Sequence, residues 1–372
     1  MSAKLSTAPN PTGDCAADVA ALGRWARDFS FEYARSRDRI VAPSAHFNVK
    51  DYGAKGDGDT DDIAAIVATR NAAVAAGNGT VYFPPGNYRV TSAIGLRRGV
   101  NWLGAGREAS YITADTASQN LFTNDSGSTV KRMFMRDLYL TVGAGLTCGT
   151  ALDLQDVSRS DFRFIEIYAD PGAKGYKVGV KIDTQTEGYY NVFDNCRVMT
   201  IGGVSTYYAY WLTGASSNGA NSTQIFGGEA SSDDGTAIYL EQGNNVGIYC
   251  VAIEGDTLKG IHVKGENGVR DAQATIIGCR LESDHAGPTG IHLDSDSSDC
   301  TLIGNFYDVT TDVTNAGSRN LIVEQGILQA ASFTNATRGA AGTAGRIIFN
   351  SDDGQLNIDT GSDWTLPNGD VT

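Results

Sequence analysis

Four acidic side chains at matched spacing are candidates for catalysis: Glu254 and Glu282, each followed two residues later by an aspartate, Asp256 and Asp284. Asp308 continues the first set, Asp233 precedes the second, and His285 directly follows Asp284. Glycosidases act through two carboxyl groups, ~5–5.5 Å apart for retention of configuration and ~6.5–9.5 Å for inversion. Crowded carboxylates repel, which raises the pKa of one of them toward use as a general acid. The same residues suit a calcium site or a solvated turn, because turns favour aspartate for backbone reasons. A second set is aromatic and basic. Trp211, Tyr239, His262 and His292 each stand between two apolar residues, as Asp153 and Lys181 do earlier. An exposed row of rings on a rigid sheet offers a platform to the apolar face of a sugar, or a contact for a loop or a second subunit. Phe226 and Tyr249 form a smaller pair of this kind.

Both sets need a repeating element to align them, and the sequence contains one. Apolar or small residues recur as triplets at positions i, i+2 and i+5. These are Met133/Met135/Leu138, Phe162/Phe164/Ile167, Phe193/Asn195/Val198, Ile225/Gly227/Ala230, Ile248/Cys250/Ile253, Ile276/Gly278/Leu281 and Leu302/Gly304/Tyr307. A second strand follows each, with inward pairs Leu152/Leu154, Val180/Ile182, Tyr210/Leu212, Ile238/Leu240, Ile261/Val263, Ile291/Leu293 and Leu321/Val323. Both series advance by roughly 23–32 residues, irregularly but in step, as the coils of a solenoid do. In this register Glu254, Glu282 and Asp308 are equivalent, with Ser231 before them, and Asp233, Asp256 and Asp284 form a second line. Carboxylates on adjacent coils then stand about one strand spacing apart, ~4.8 Å.

The coils start from Phe47–Val90, which reads as a short strand, a Gly/Asp turn, a helix and a second strand ending at Pro84-Pro85-Gly86. Thr60 or Asp61 is placed to cap the helix, with Asp61 and Asp62 favourable in its first turn. Ile63, Ile66, Val67 and Val74 form its apolar face, and Gly77 stands where a left-handed C-terminal residue is wanted. The runs NVKDYGAKGDGDTDD and GTVYFPPGNYRV resemble the N-terminal signature of the pectate-lyase-like superfamily. That resemblance implies an all-β chain, a single-stranded right-handed parallel β-helix of about 7–9 coils with an N-terminal capping helix. It does not select an activity, since lyases, hydrolases, epimerases and phage tailspikes share it. Asp233-Asp234 and Gly260-Ile261-His262 are fragments of a polygalacturonase-like pattern, and pectate-lyase arginine signatures are not evident. A close match to plant-cell-wall pectinases is therefore rejected.

The resemblance divides the chain into a helical leader (1–46), the β-helix (47–325) and a small C-terminal β module (326–372). The leader carries an amphipathic stretch over 18–33 and five arginines, which suits trimerisation or attachment to other tail or baseplate proteins. A hairpin is expected from Ile347–Asn350 and Gln355–Asp359, and the tail is similar to the terminal modules of phage tail proteins. The N-terminus lacks a signal-peptide core, the six cysteines show no metal spacing, and no cofactor is expected beyond calcium. With 43 acidic against 29 basic residues the net charge is −14, which argues against nucleic acid and anionic membranes as partners. These features lead to a virion-associated, homotrimeric tailspike that binds and depolymerises a bacterial surface polysaccharide by glycosidase chemistry. The alternatives are a non-catalytic adhesin or structural fibre, and a bacterial polysaccharide lyase or hydrolase.

Overall fold

The computed structural model describes residues 45–125, 129–169, 174–201, 205–215, 219–265 and 272–324, with shorter stretches at 327–329, 332–333, 347–350, 355–359 and 362–366. The leader helix expected over 18–33 lies outside the described residues. The chain winds as a right-handed parallel β-helix whose strands stack into sheets of 12, 10 and 9 strands. One coil shows the plan. Asp161–Arg163 lies in the first sheet, Glu166–Ile167 in the second and Gly175–Thr184 in the third. Pairing between coils is parallel, until Ile327–Gln329 turns back antiparallel on Leu321–Glu324. Beyond it, Ile347–Asn350 pairs antiparallel with Gln355–Asp359.

The triplets expected to lie on one strand lie on two. Phe162, Phe193, Ile225, Ile248, Ile276 and Leu302 stack in the first sheet, and Ile167, Val198, Ala230, Ile253, Leu281 and Tyr307 stack in the second. The middle residue is the turn between them. Phe164, Asn195 and Cys250 have φ of 50°, 50° and 54°, and Gly227, Gly278 and Gly304 have 57°, 65° and 60°. A residue in this left-handed conformation turns the chain and points outward, so Phe164 is 44% exposed instead of inward. The next residue fills the corner, as buried Ile165, Cys196, Val251 and Cys279 show. The first triplet is also displaced by two, since Met135 pairs with Phe162 and Leu140 with Ile167.

The third sheet keeps its expected register from Leu152 through Val180, Tyr210, Ile238, Ile261 and Ile291. Its last rung is Val313, not Leu321/Val323. Leu321–Glu324 belongs to the first sheet, with Ile322 stacked on Leu302. Six of the nine third-sheet strands carry a small residue just before the first inward residue: Ala151, Gly179, Ala209, Ala237, Gly260 and Gly290. At Gly260 an added Cβ would lie 2.6 Å from the Gly290 carbonyl oxygen and 2.7 Å from Leu281 Cδ2. Gly260→Ala is therefore expected to destabilise the chain by about 1–3 kcal/mol, read from urea unfolding midpoints. An unchanged midpoint would mean that the corner has slack.

The capping helix spans Ile63–Ala75 and covers the first coil. Its buried face is Ile66, Thr69, Arg70 and Ala73, whereas Val74, expected inward, is 41% exposed. Arg70 bonds the Gly95 carbonyl at 2.9 Å. Thr60 and Asp61 lie in the strand Asp57–Asp61, ahead of the N-cap position, although Asp61 Oδ1 still accepts from Ile63 N at 3.2 Å as a capping carboxylate does. Asp62 occupies that position, and its carboxylate closes the preceding turn by accepting from Lys55 N at 2.7 Å and Gly56 N at 2.9 Å. Gly77 follows the helix at φ 86°, as expected. No helix among the described residues is long and apolar enough to cross a membrane.

Candidate functional site

The acidic candidates gather at the corner where the chain leaves the second sheet. Leu281 pairs with Tyr307 and Glu282 with Asp308, and Ala230, Ile253 and Leu281 stack, which aligns Ser231, Glu254 and Glu282 one residue later. Arg280 reaches both glutamates: Nη1 donates to Glu254 Oε1 at 2.7 Å, and Nη2 pairs with Glu282. All three side chains are more than a third exposed. Two residues on, Asp256 and Asp284 are exposed, while Asp233 is partly buried. Burial first, and then the charges of Asp256 and Asp234, push the Asp233 carboxyl above the usual range. Asp233 is thus the member of the ladder best able to hold a proton. Asp234, which the spacing did not single out beside the ladder, meets His285 Nε2 at 3.2 Å, and the two group with Asp256.

The second set lies on the outer face of the third sheet, a few residues further along each coil. Asp153, Lys181, Trp211, Tyr239, His262, His292 and Thr314 occupy one register line. The expected row of exposed rings is half-buried, with Tyr239 at 9% exposure, because the rings cover one another. Tyr208 was missed by the alternation, since a small inward residue, Ala209, interrupts the period of two. It stacks on Tyr239 at 4.8 Å between centroids and 12° between planes. Tyr239 and His262 follow at 5.1 Å, and His262 and His292 at 4.6 Å. Lys181 Nζ sits 4.8 Å from the Trp211 ring centroid and Lys264 Nζ 6.0 Å from that of Tyr239. Glu241 joins the row by accepting from Trp211 Nε1 at 3.1 Å and Thr213 Oγ1 at 2.9 Å. On the first sheet Phe226 and Tyr249 stack at 5.0 Å, as their spacing suggested.

Along each coil the face follows the corner. Asp256 precedes His262 by six positions on one coil, and Asp233 precedes Tyr239 by six. Carboxyl groups with different environments thus precede the ring-bearing strands on successive coils.

Residues 46–195 match the family model described as rhamnogalacturonase A/epimerase, pectate lyase-like. The chain is similar to the Azotobacter vinelandii mannuronan C5-epimerases AlgE6 (43% identical over 105 residues, 25% of this chain and 12% of that protein) and AlgE4 (40% over 114 residues, 28% and 21%). It is also similar to that organism's alginate lyase 7, 48% over 73 residues, covering 18% of this chain and 8% of that protein. The matched stretch is thus a small part of each relative. Among solved structures, the pre-mature gene product 12 of bacteriophage phi29 superimposes with a TM-score of 0.50 at 15% identity, covering 84% of this chain and 48% of that one.

Proposed function

We propose that this chain, which has the pectate-lyase-like right-handed parallel β-helix fold, is a tailspike-like protein that binds a bacterial surface polysaccharide along its coils and cleaves it at the neighbouring corner. The observation that carries this reading is the ring cluster on three adjacent third-sheet strands: Tyr208 and Trp211 meet on one strand, Tyr208 stacks on Tyr239 of the next, and Tyr239 meets His262 of the third. A linear polymer presents a repeat of comparable length, so one coil serves one sugar. For hydrolysis, Asp233 holds the proton delivered to the leaving oxygen, and one of Glu254, Glu282, Asp256 and Asp284 is the base or nucleophile. A virion setting follows the same line, since the phi29 protein is a phage product.

Elimination or epimerisation of an acidic sugar is the second reading. Lys181 and Lys264 stand over the rings, paired with Asp183 and Glu241, where a uronate carboxylate would compete for the ammonium, and the sequence relatives are named mannuronan C5-epimerase and alginate lyase. Incubation with a panel of capsular, lipopolysaccharide and alginate-type glycans separates the cases. New reducing ends alone mean hydrolysis; reducing ends with the ultraviolet absorbance of an unsaturated uronate mean elimination. Altered uronate composition without cleavage means epimerisation. Binding without any product leaves an adhesin, and no binding to any glycan would overturn the proposal.

The ring row makes its own prediction. Trp211→Ala and Tyr239→Ala are expected to weaken glycan binding about tenfold or more, or about 1.4 kcal/mol. Turnover at saturation should stay nearly unchanged, because the rings hold substrate and transition state alike. Equal affinity for parent and variants in calorimetric titration would remove the row from the site.

A further inference from the structure

We propose that His262, His292 and Asp294 bind a divalent first-row transition ion, zinc or a close relative, through the two Nε2 atoms and the Asp294 carboxylate. This site shares His262 and His292 with the ring row, but its test reads metal binding and so stands or falls apart from the glycan reading. His262 and His292 are register partners on adjacent third-sheet strands, both facing outward. Asp294 follows His292 by two residues and so returns to the same face. The two rings meet edge to face, at 81° between planes, and each Nε2 reaches the Asp294 carboxylate. His262 Nε2 lies 3.0 Å from Asp294 Oδ2, and His292 Nε2 lies 3.2 Å from Asp294 Oδ1. One ligand atom from each of the three lies within 4.8 Å of the others. Ligand atoms around a tetrahedral zinc with bonds near 2.0–2.1 Å stand ~3.3 Å apart, which is close to the separations already present.

The surroundings agree with a ligand role. Thr314, the register partner of His292 on the next coil, bonds His292 Nδ1 through its hydroxyl. Such an outer partner fixes the ring and leaves Nε2 to the metal. Without an ion the two Nε2–H groups can donate to Asp294. Two imidazoles and a carboxylate suit zinc, cobalt, nickel or ferrous iron, whereas calcium and magnesium select all-oxygen sites. The three side chains are 12%, 25% and 37% exposed, which leaves a coordination position open toward solvent beside Tyr239.

The full chain, stripped with chelator and dialysed, should bind one Zn2+ per chain when titrated with zinc chloride and assayed by elemental analysis. Calcium should not compete. Loaded with Co2+, the unmodified protein should show the visible bands of low-coordinate cobalt with nitrogen ligands, a readout that needs no variant. His292→Ala and Asp294→Ala should abolish stoichiometric binding, with circular dichroism confirming that the coils persist. Thr314→Val should weaken zinc binding by ~10–100-fold. The Asp234/Asp256/His285 group is the internal control, and His285→Ala should leave the ion in place. The proposal is overturned if the parent retains no zinc, if the cobalt bands are absent, if His292→Ala retains the full complement, or if His285→Ala is the variant that loses it.

Discussion

At least one of Glu254→Gln and Glu282→Gln is expected to lower glycan cleavage at saturating substrate by ~10²–10⁴-fold, and Asp233→Asn by a similar factor. Each change keeps shape and removes charge. Arg280 loses one of its two carboxylate partners, but these side chains are 38–52% exposed, and an exposed ion pair contributes at most ~1 kcal/mol. A rate loss of that size therefore reports chemistry, provided that the melting temperature moves by only a few degrees. The pH profile separates the roles. A general acid works only while protonated, so activity should fall as pH rises through the Asp233 pKa, which burial and its acidic neighbours hold above the usual 3.8. The base or nucleophile works only while ionised, so its loss should govern the acid limb. Asp233→Asn should remove the alkaline limb, and the glutamate variants should not. Full activity in all three variants would mean that the carboxylates form a solvated or cation-binding turn.

Much of this geometry was legible because a solenoid writes its register into the sequence. The outward line from Asp153 to His292 was read from alternation alone and is the line of the third sheet. The equivalence of Glu254, Glu282 and Asp308 followed in the same way. Three features escaped for physical reasons. The turn after the first sheet takes one left-handed residue, which can be Phe164, Asn195 or Cys250 as well as glycine, so no residue type marks it. Without that mark two short strands read as one. The last rung was misplaced because Leu321 and Val323 match the third-sheet pattern, but Ile322 and Glu324 are the buried residues of that strand. The proton-holding tendency of Asp233 was invisible because it depends on burial at a corner, and neighbouring Asp256 and Asp284 are exposed. Spacing gave the line, and only the fold distinguishes its members.

Ile253→Asp and Leu281→Asp should be the most damaging single changes. Each side chain is essentially inaccessible, at 1% and 0% exposure, and each stacks between two coils, Ile253 between Ala230 and Leu281, and Leu281 between Ile253 and Tyr307. An aspartate there loses the apolar burial of the parent and places an unpaired carboxylate in the core, at several kcal/mol, a large fraction of the ~5–15 kcal/mol that holds a domain together. The one-dimensional architecture adds a positional effect. Coils touch only their neighbours, so a defect in an inner coil weakens two interfaces and can separate the coils before it from those after it. A second melting transition, or loss of soluble protein, is the expected signature in calorimetry and expression trials. Ile322→Asp provides the comparison: its residue is buried at 2% but belongs to the last parallel rung, with one coil before it and the antiparallel Ile327–Gln329 strand after it. It should cost less than Ile253→Asp. If Ile253→Asp instead melts like the parent, side chains of this strand face the other way, and the outward placement of Glu254 falls with it.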